Sequence, residues 1–246
     1  MRACARTDVG CVRSMNQDSV YCSTSPVGPF PNIYIVADGM GGHKAGDFAS
    51  RYAIESFLEY IGRAEKGPLI RLMDEGIAFA NQRVVEKSLE DPALKGMGTT
   101  FVVSYVEDNL LYAANVGDSR LYLIGEEINQ VTEDHSFVAA MVRAGELTKE
   151  EARVHPEKNV ITRAVGVSWD VKADFFEIDL QPEDRILMCS DGLSNMIEDP
   201  RLFEIIRHGE LETCVDQLIA EARENGGTDN ITALLIEPEV KEADEC

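Results

Sequence analysis

The apolar residues of this chain come in runs of about five to eight, each broken by Gly, Asp or Asn, and that punctuation points to a fold built on short strands. Strands are read at residues 32–37, 99–106, 110–116, 120–124, 174–180, 185–189 and 230–236. The Glu107-Asp108-Asn109 break reads as a hairpin turn, which favours antiparallel pairing. No run approaches the roughly 20 apolar residues needed to cross a bilayer, so no membrane segment is expected.

Helical periodicity fills the gaps. In residues 44–63, Ala49, Tyr52, Ala53, Phe57, Tyr60 and Ile61 form one buried stripe; in residues 68–89, Leu69, Leu72, Met73, Ile77, Ala80 and Val84 form another. Further helices are read at 134–144 and 211–223, the latter stopped by Asn225-Gly226-Gly227. This order suggests sheets covered by helices. No repeat or low-complexity linker divides the 246 residues, so one large domain is expected over 1–237, followed by an acidic tail at 238–246. Residues 145–159 are charged and weakly periodic, and they are expected to form a mobile flap beside the active site.

Composition narrows the function. A net charge of −21 argues against nucleic-acid binding, which needs an excess of Lys and Arg. The N-terminal residues turn polar at once and lack a secretory apolar stretch. The six cysteines are scattered without CxxC pairing, so free thiols, a cytoplasmic location and a monomer are the expectations.

The carboxylates are the informative residues. Ile33-Tyr34-Ile35-Val36-Ala37 delivers Asp38-Gly39, and Ile186-Leu187-Met188-Cys189-Ser190 delivers Asp191-Gly192. A hairpin turn accounts for either pair taken alone. Asp118 directly follows one strand, however, and Asp229 directly precedes another. Carboxylates at strand ends, beside glycines that admit close backbone approach, suit a hard divalent cation such as Mg²⁺ or Mn²⁺. Zinc fits less well, because the four histidines show no HxxxH or HExxH spacing and the thiols are not clustered. Spacing alone supports a metal site and names no reaction.

A resemblance goes further. Arg13-Ser14-Met15-Asn16-Gln17-Asp18, Val36-Ala37-Asp38-Gly39-Met40-Gly41-Gly42-His43, Gly98-Thr99-Thr100, Asn115-Val116-Gly117-Asp118-Ser119-Arg120, Ile161-Thr162-Arg163-Ala164-Val165-Gly166, Cys189-Ser190-Asp191-Gly192-Leu193 and Gly227-Thr228-Asp229-Asn230 fall in order along nearly the whole chain. Together they resemble the metal-dependent protein phosphatase family of protein phosphatase 2C type, in its compact bacterial branch. The resemblance implies an α+β fold, a four-layer α-β-β-α sandwich of two antiparallel sheets flanked by helices, with the metals in a cleft at one edge.

It also implies two to three Mn²⁺ or Mg²⁺ ions. Asp38 would bridge two of them, with Asp191 and Asp229 completing the first and the Gly39 carbonyl and Asp18 serving the second. A third would lie between Asp118 and Asp191. A water shared between cations would then lose a proton and attack phosphorus in line, with no covalent enzyme intermediate. Arg13 is the phosphate clamp on this reading, since a guanidinium fork matches two phosphate oxygens. Arg120, Arg163 and Asp134-His135-Ser136 are read as structural, the last as a helix start. Animal members carry Glu beside the first Asp and His directly after the Asp-Gly, where this chain has Gln17 and Met40. His43 is left as the nearest general acid for the departing oxygen.

The implied function is hydrolysis of phosphoserine and phosphothreonine in proteins, counteracting a Ser/Thr kinase that is itself among the substrates. The alternatives are a phosphatase-fold scaffold without turnover and a metal-dependent phosphodiesterase. The first normally loses metal aspartates, which this chain keeps; the acidic composition speaks against the second.

Overall fold

In the computed structural model, which describes residues 1–42 and 45–240, two sheets lie face to face between helices. Strands β1 (Arg2–Asp8), β2 (Asp18–Ser23) and β3 (Ile33–Met40) are followed by helices α1 (Ala45–Arg63) and α2 (Leu69–Glu90). After a 3-10 turn at Pro92–Leu94 come β4 (Gly98–Thr99), β5 (Phe101–Glu107), β6 (Leu110–Val116), β7 (Arg120–Ile124) and β8 (Ile128–Gln130). The chain continues through α3 (Phe137–Arg143), α4 (Lys149–Val154), β9 (Asp174–Asp179), β10 (Arg185–Cys189), α5 (Asp191–Ser194), α6 (Asp199–Ile206), α7 (Leu211–Glu224) and β11 (Ile231–Glu237).

One sheet has the order β1-β11-β10-β7-β8 and the other β2-β3-β5-β6-β9, with β4 beside β3 and every pair antiparallel. The expected four-layer α-β-β-α sandwich is present. Its layers explain the apolar runs. In β3, Ile33, Ile35 and Ala37 join the core beneath α1 and α2, while Tyr34 and Val36 join the core between the sheets. In β11, Ile231, Ala233 and Leu235 pack with α6 and α7, while Leu234 and Ile236 face the other sheet. Strands buried on both faces must be apolar at successive positions, which hides the two-residue alternation.

Edge strands β1, β2 and β8 were not legible in hydropathy, whereas edge strand β9 was. In β1, Arg2 and Arg6 lie over α7 and bond Glu212 and Asp216, so a strand position is filled by arginine. Between β5 and β6, Asp108 and Asn109 take φ of 48° and 64°, the left-handed pair required by a two-residue type I′ hairpin.

One expectation needs correction. The helix expected from residue 134 starts at Phe137, because Ser136 is its N-cap, accepting from the Ala139 N–H at 3.2 Å, and Asp134 is held by Arg120. The stretch 145–159 contains a helix, α4, opened by a capping box in which Thr148 and Glu151 exchange bonds of 3.2 and 2.8 Å. No helix among the described residues is long and apolar enough to cross a membrane. His43 and residues 241–246 of the expected tail lie outside the described residues.

Candidate active site

Neither Asp-Gly pair is a turn. Strand β3 runs on through Asp38 and Gly39 to Met40, where β4 pairs with it, and Asp191 is the first residue of α5 with Ser190 as its N-cap. The glycines serve close approach instead. A Cβ on Gly39 would lie 2.0 Å from the Gly46 carbonyl of α1, and one on Gly192 would lie 1.9 Å from the Asn230 carbonyl. Each glycine therefore lets an aspartate-bearing strand end press against another element.

The aspartates converge from both sheets. Asp18 opens β2 directly opposite Asp38 on β3. Asp191 leaves the end of β10, Asp229 precedes β11, and Asp118 sits in the turn between β6 and β7. Arg13, Asp38, Gly39, Asp118, Asp191 and Asp229 line one cavity of about 220 Å³. Asp18 lies just behind, 6 % exposed.

Their electrostatics follow from this crowding. Withdrawal from water, then the charges of Asp18, Asp191, Asp118 and Asp229, pushes Asp38 well above the ordinary carboxylate range. Asp118 is raised by burial first and by Asp191 and Asp134 next; Asp191 is raised by burial and then by Asp229. Asp18 is pushed up to about 7, chiefly by burial, although its Oδ2 accepts hydrogen bonds of 2.7 Å from both Thr232 and Ser190. Its other oxygen, Oδ1, is buried without a hydrogen-bond partner.

An orphaned carboxylate oxygen among mutually repelling acids fits cation binding. The cavity is lined by oxygen donors, with no histidine or cysteine among its described lining residues, which matches Mg²⁺ or Mn²⁺ better than zinc. Among the described residues, no three His, Cys, Asp or Glu side chains close around a single point.

Arg13 extends over the same cavity, half-exposed, and its Nη2 donates to Asp229 Oδ2 at 2.7 Å. Gln17 and Met40, the two departures from the animal pattern, also line the cavity.

Supporting residues emerge to which sequence reasoning assigned no role. Asn230 accepts from the Gln17 N–H with its Oδ1 and donates its Nδ2 to the Val9 and Met15 carbonyls, so one buried amide fixes the loop that carries Arg13. Thr100 accepts from the Asp38 N–H at 2.8 Å and bonds Ser119 at 2.7 Å, tying β3 to the Asp118 turn. Both stand inside the motifs that carry the resemblance, Gly98-Thr99-Thr100 and Gly227-Thr228-Asp229-Asn230, which gave them no role of their own. The residues read as structural do form structural bonds. Arg120 grips Asp134 at 2.7 Å, and Arg163 binds Asp174 at 2.8 Å. His135 accepts the Gly117 N–H on Nδ1, which leaves Nε2 to donate to Asp174 at 2.8 Å.

Comparison with known proteins covers nearly the whole chain. The family described as Protein phosphatase 2C matches residues 12–235. The chain is 40 % identical over 248 aligned residues to a Serine/threonine phosphatase stp of Listeria monocytogenes, covering 96 % of each chain. It superposes on the crystal structure of the Mycobacterium tuberculosis serine/threonine phosphatase PstP/Ppp with a TM-score of 0.86 and 34 % identity, over 95 % of this chain and 97 % of that one. A structure of the PstP catalytic domain in complex with two manganese ions matches with a TM-score of 0.83 and 33 % identity, over 95 % and 96 % of the two chains.

Proposed function

The chain belongs to the protein phosphatase 2C family and is a metal-dependent protein Ser/Thr phosphatase of the bacterial type, and from that premise we propose how its residues divide the work. Asp38, Asp191 and Asp229 would hold one divalent cation, and Asp38, Asp18 and the Gly39 carbonyl a second. Asp118 and Asp191 are the candidate holders of a third. Mn²⁺ or Mg²⁺ bound there would supply Lewis-acid charge that acidifies a water and offsets the charge of the phosphate.

The remaining contribution is the chain's own. Arg13 exchanges Asp229 for two oxygens of the substrate phosphate, orienting the phosphorus above the aspartates. Asn230 holds the Arg13 loop at the right height, and Thr100 fixes the backbone of Asp38. With His43 outside the described residues, its general-acid role rests on the resemblance alone. The reading extends to a catalytic domain over residues 1–237, phosphoproteins including a Ser/Thr kinase as substrates, and a cytoplasmic monomer.

The single observation that carries the assignment is one guanidinium and four aspartates on the walls of one cavity, in a chain otherwise poor in cations. The test is phosphate release from a phosphothreonine peptide. It should require Mn²⁺ or Mg²⁺ and vanish in Asp38→Ala; turnover that survives both EDTA and this substitution would refute it. Comparing a phosphomonoester with a diester separates phosphatase from phosphodiesterase.

A further inference from the structure

Beside the site described above lies a second cavity of about 400 Å³, and Asp118 and Asp191 line both. The second cavity is therefore an extension of the cleft, sharing a wall with the place where the phosphate binds. Its outer wall is the segment carrying α3 and α4, which contributes Arg143, Lys149, Arg153 and Lys158.

The facing wall carries Asp118, Glu133, Asp134, Asp191 and Asp199, of which Asp134 is paired with Arg120 and Glu133 with Arg143, so the charge left unpaired on the α3–α4 side is basic. The chain holds 23 Lys and Arg against 44 Asp and Glu, so a basic residue usually finds a carboxylate close by. Arg143 does, reaching Glu133 at 3.7 Å. Arg153 instead donates to the Ser194 carbonyl at 3.1 Å, pinning α4 to α5, and it forms no ion pair among the described residues. Lys149 and Lys158 likewise form no ion pair among the described residues, although Lys158 is near enough to Asp191 for its charge to be felt there. Ser194 lines the same cavity at 1 % exposure, and its Oγ has no hydrogen-bond partner.

A merely solvated basic face would spread its lysines over convex surface. Here Lys149, Arg153 and Lys158, none of them in an ion pair among the described residues, and an unsatisfied hydroxyl line a concavity that adjoins the active site. Resting on the phosphatase reading, we infer that this cavity is a subsite for a carboxylate side chain of the substrate polypeptide, so that phosphoserine or phosphothreonine flanked by Asp or Glu is preferred. Lys149 and Lys158 supply the attraction, and Arg153 holds the wall on which they stand. A flanking residue lies a few ångströms of extended backbone from the phosphoresidue, which is why the shared wall matters. Charge complementarity of this kind selects among substrates that the metal centre alone would treat alike.

The experiment compares phosphothreonine peptides that differ only in flanking Glu, Gln or Lys. In the wild type, kcat/KM should be higher for the Glu peptide than for the Gln peptide by about three- to tenfold, with the Lys peptide lowest. Raising the salt should shrink the difference, because partly exposed charges are screened. In Lys149→Gln/Lys158→Gln the Glu to Gln ratio should fall toward one, and in Lys149→Glu/Lys158→Glu the order of the peptides should reverse.

Anisotropy with labelled, non-hydrolysable phosphonate versions of the peptides should give the same ranking for binding. Equal values for the three peptides in the wild type, or an unchanged ranking in the charge-reversed variant, overturn the subsite. Absence of turnover on every peptide would instead strike the phosphatase reading, and the anisotropy ranking would still decide the subsite.

Discussion

Asp18 and Asp38 stand directly opposite one another across the β2–β3 ladder, two carboxylates in a position where like charges destabilise a sheet. The fold accepts this pair, with Asp18 hydrogen-bonded to Ser190 and Thr232 of the other sheet. The arrangement makes sense as one built to be completed by cations.

A pH dependence follows for the metal-free protein. Burial raises Asp18 from 3.8 to about 7, so the folded state favours its protonated form more than the unfolded chain does. The resulting stability is fully present below the unfolded value and is lost as pH rises through about 7. In EDTA, the urea midpoint should fall between roughly pH 4 and pH 7, and Asp18→Asn should flatten that fall. An equally steep fall in the variant would place the dependence elsewhere.

Cation binding should be visible without turnover. Mn²⁺ at about 100 times its dissociation constant should stabilise the wild type by roughly 2.7 kcal/mol, read as a rise in the calorimetric midpoint. Asp38→Ala should lose that response along with peptide phosphatase activity. A full Mn²⁺ shift in the variant would remove Asp38 from the proposed ligands.

Arg13 should act through shape as well as charge. Arg13→Ala is expected to lower kcat/KM on phosphopeptides by about ten- to a hundredfold, the range for losing a hydrogen bond to a charged group. Arg13→Lys should recover only part of this, since an ammonium cannot bridge two phosphate oxygens as a guanidinium does. Steady-state kinetics on both variants decides it, and full recovery in the lysine variant would reduce Arg13 to a point charge.

Asn230 joins stability to function. Its buried side chain satisfies one N–H and two carbonyls of the loop around Arg13, so Asn230→Ala should cost about 1–3 kcal/mol in urea unfolding. KM for a phosphopeptide should rise as well, because the loop beneath Arg13 loses its anchor. A variant as stable as the wild type, with unchanged KM, would show that the loop holds its place unaided.

The aspartates were legible in the sequence because strand ends, glycines and acids are all local features. The central strands were legible too, since burial on both faces makes continuous apolar runs. Edge strand β1 escaped because Arg2 and Arg6 occupy positions that face α7, where long side chains reach their carboxylates. The roles of Gly39 and Gly192 could not be read locally. The backbone each must avoid belongs to Gly46 or Asn230, brought close only by the fold. The same holds for Thr100 and Asn230, ordinary polar residues until their partners arrive from other segments.

The core between the sheets has a consequence at the cleft. Asp18 and Asp38 ride on one sheet, whereas Asp191 and Asp229 flank strands of the other, so the cleft works like a caliper whose jaws are the two sheets. The filling that sets the gauge includes Tyr34, Val102, Met188 and Leu234, with Ser104 touching Met188 across the interface at 3.2 Å. Thinning or thickening that filling would change the spacing between the proposed cation ligands of the two sheets while leaving those ligands themselves unchanged.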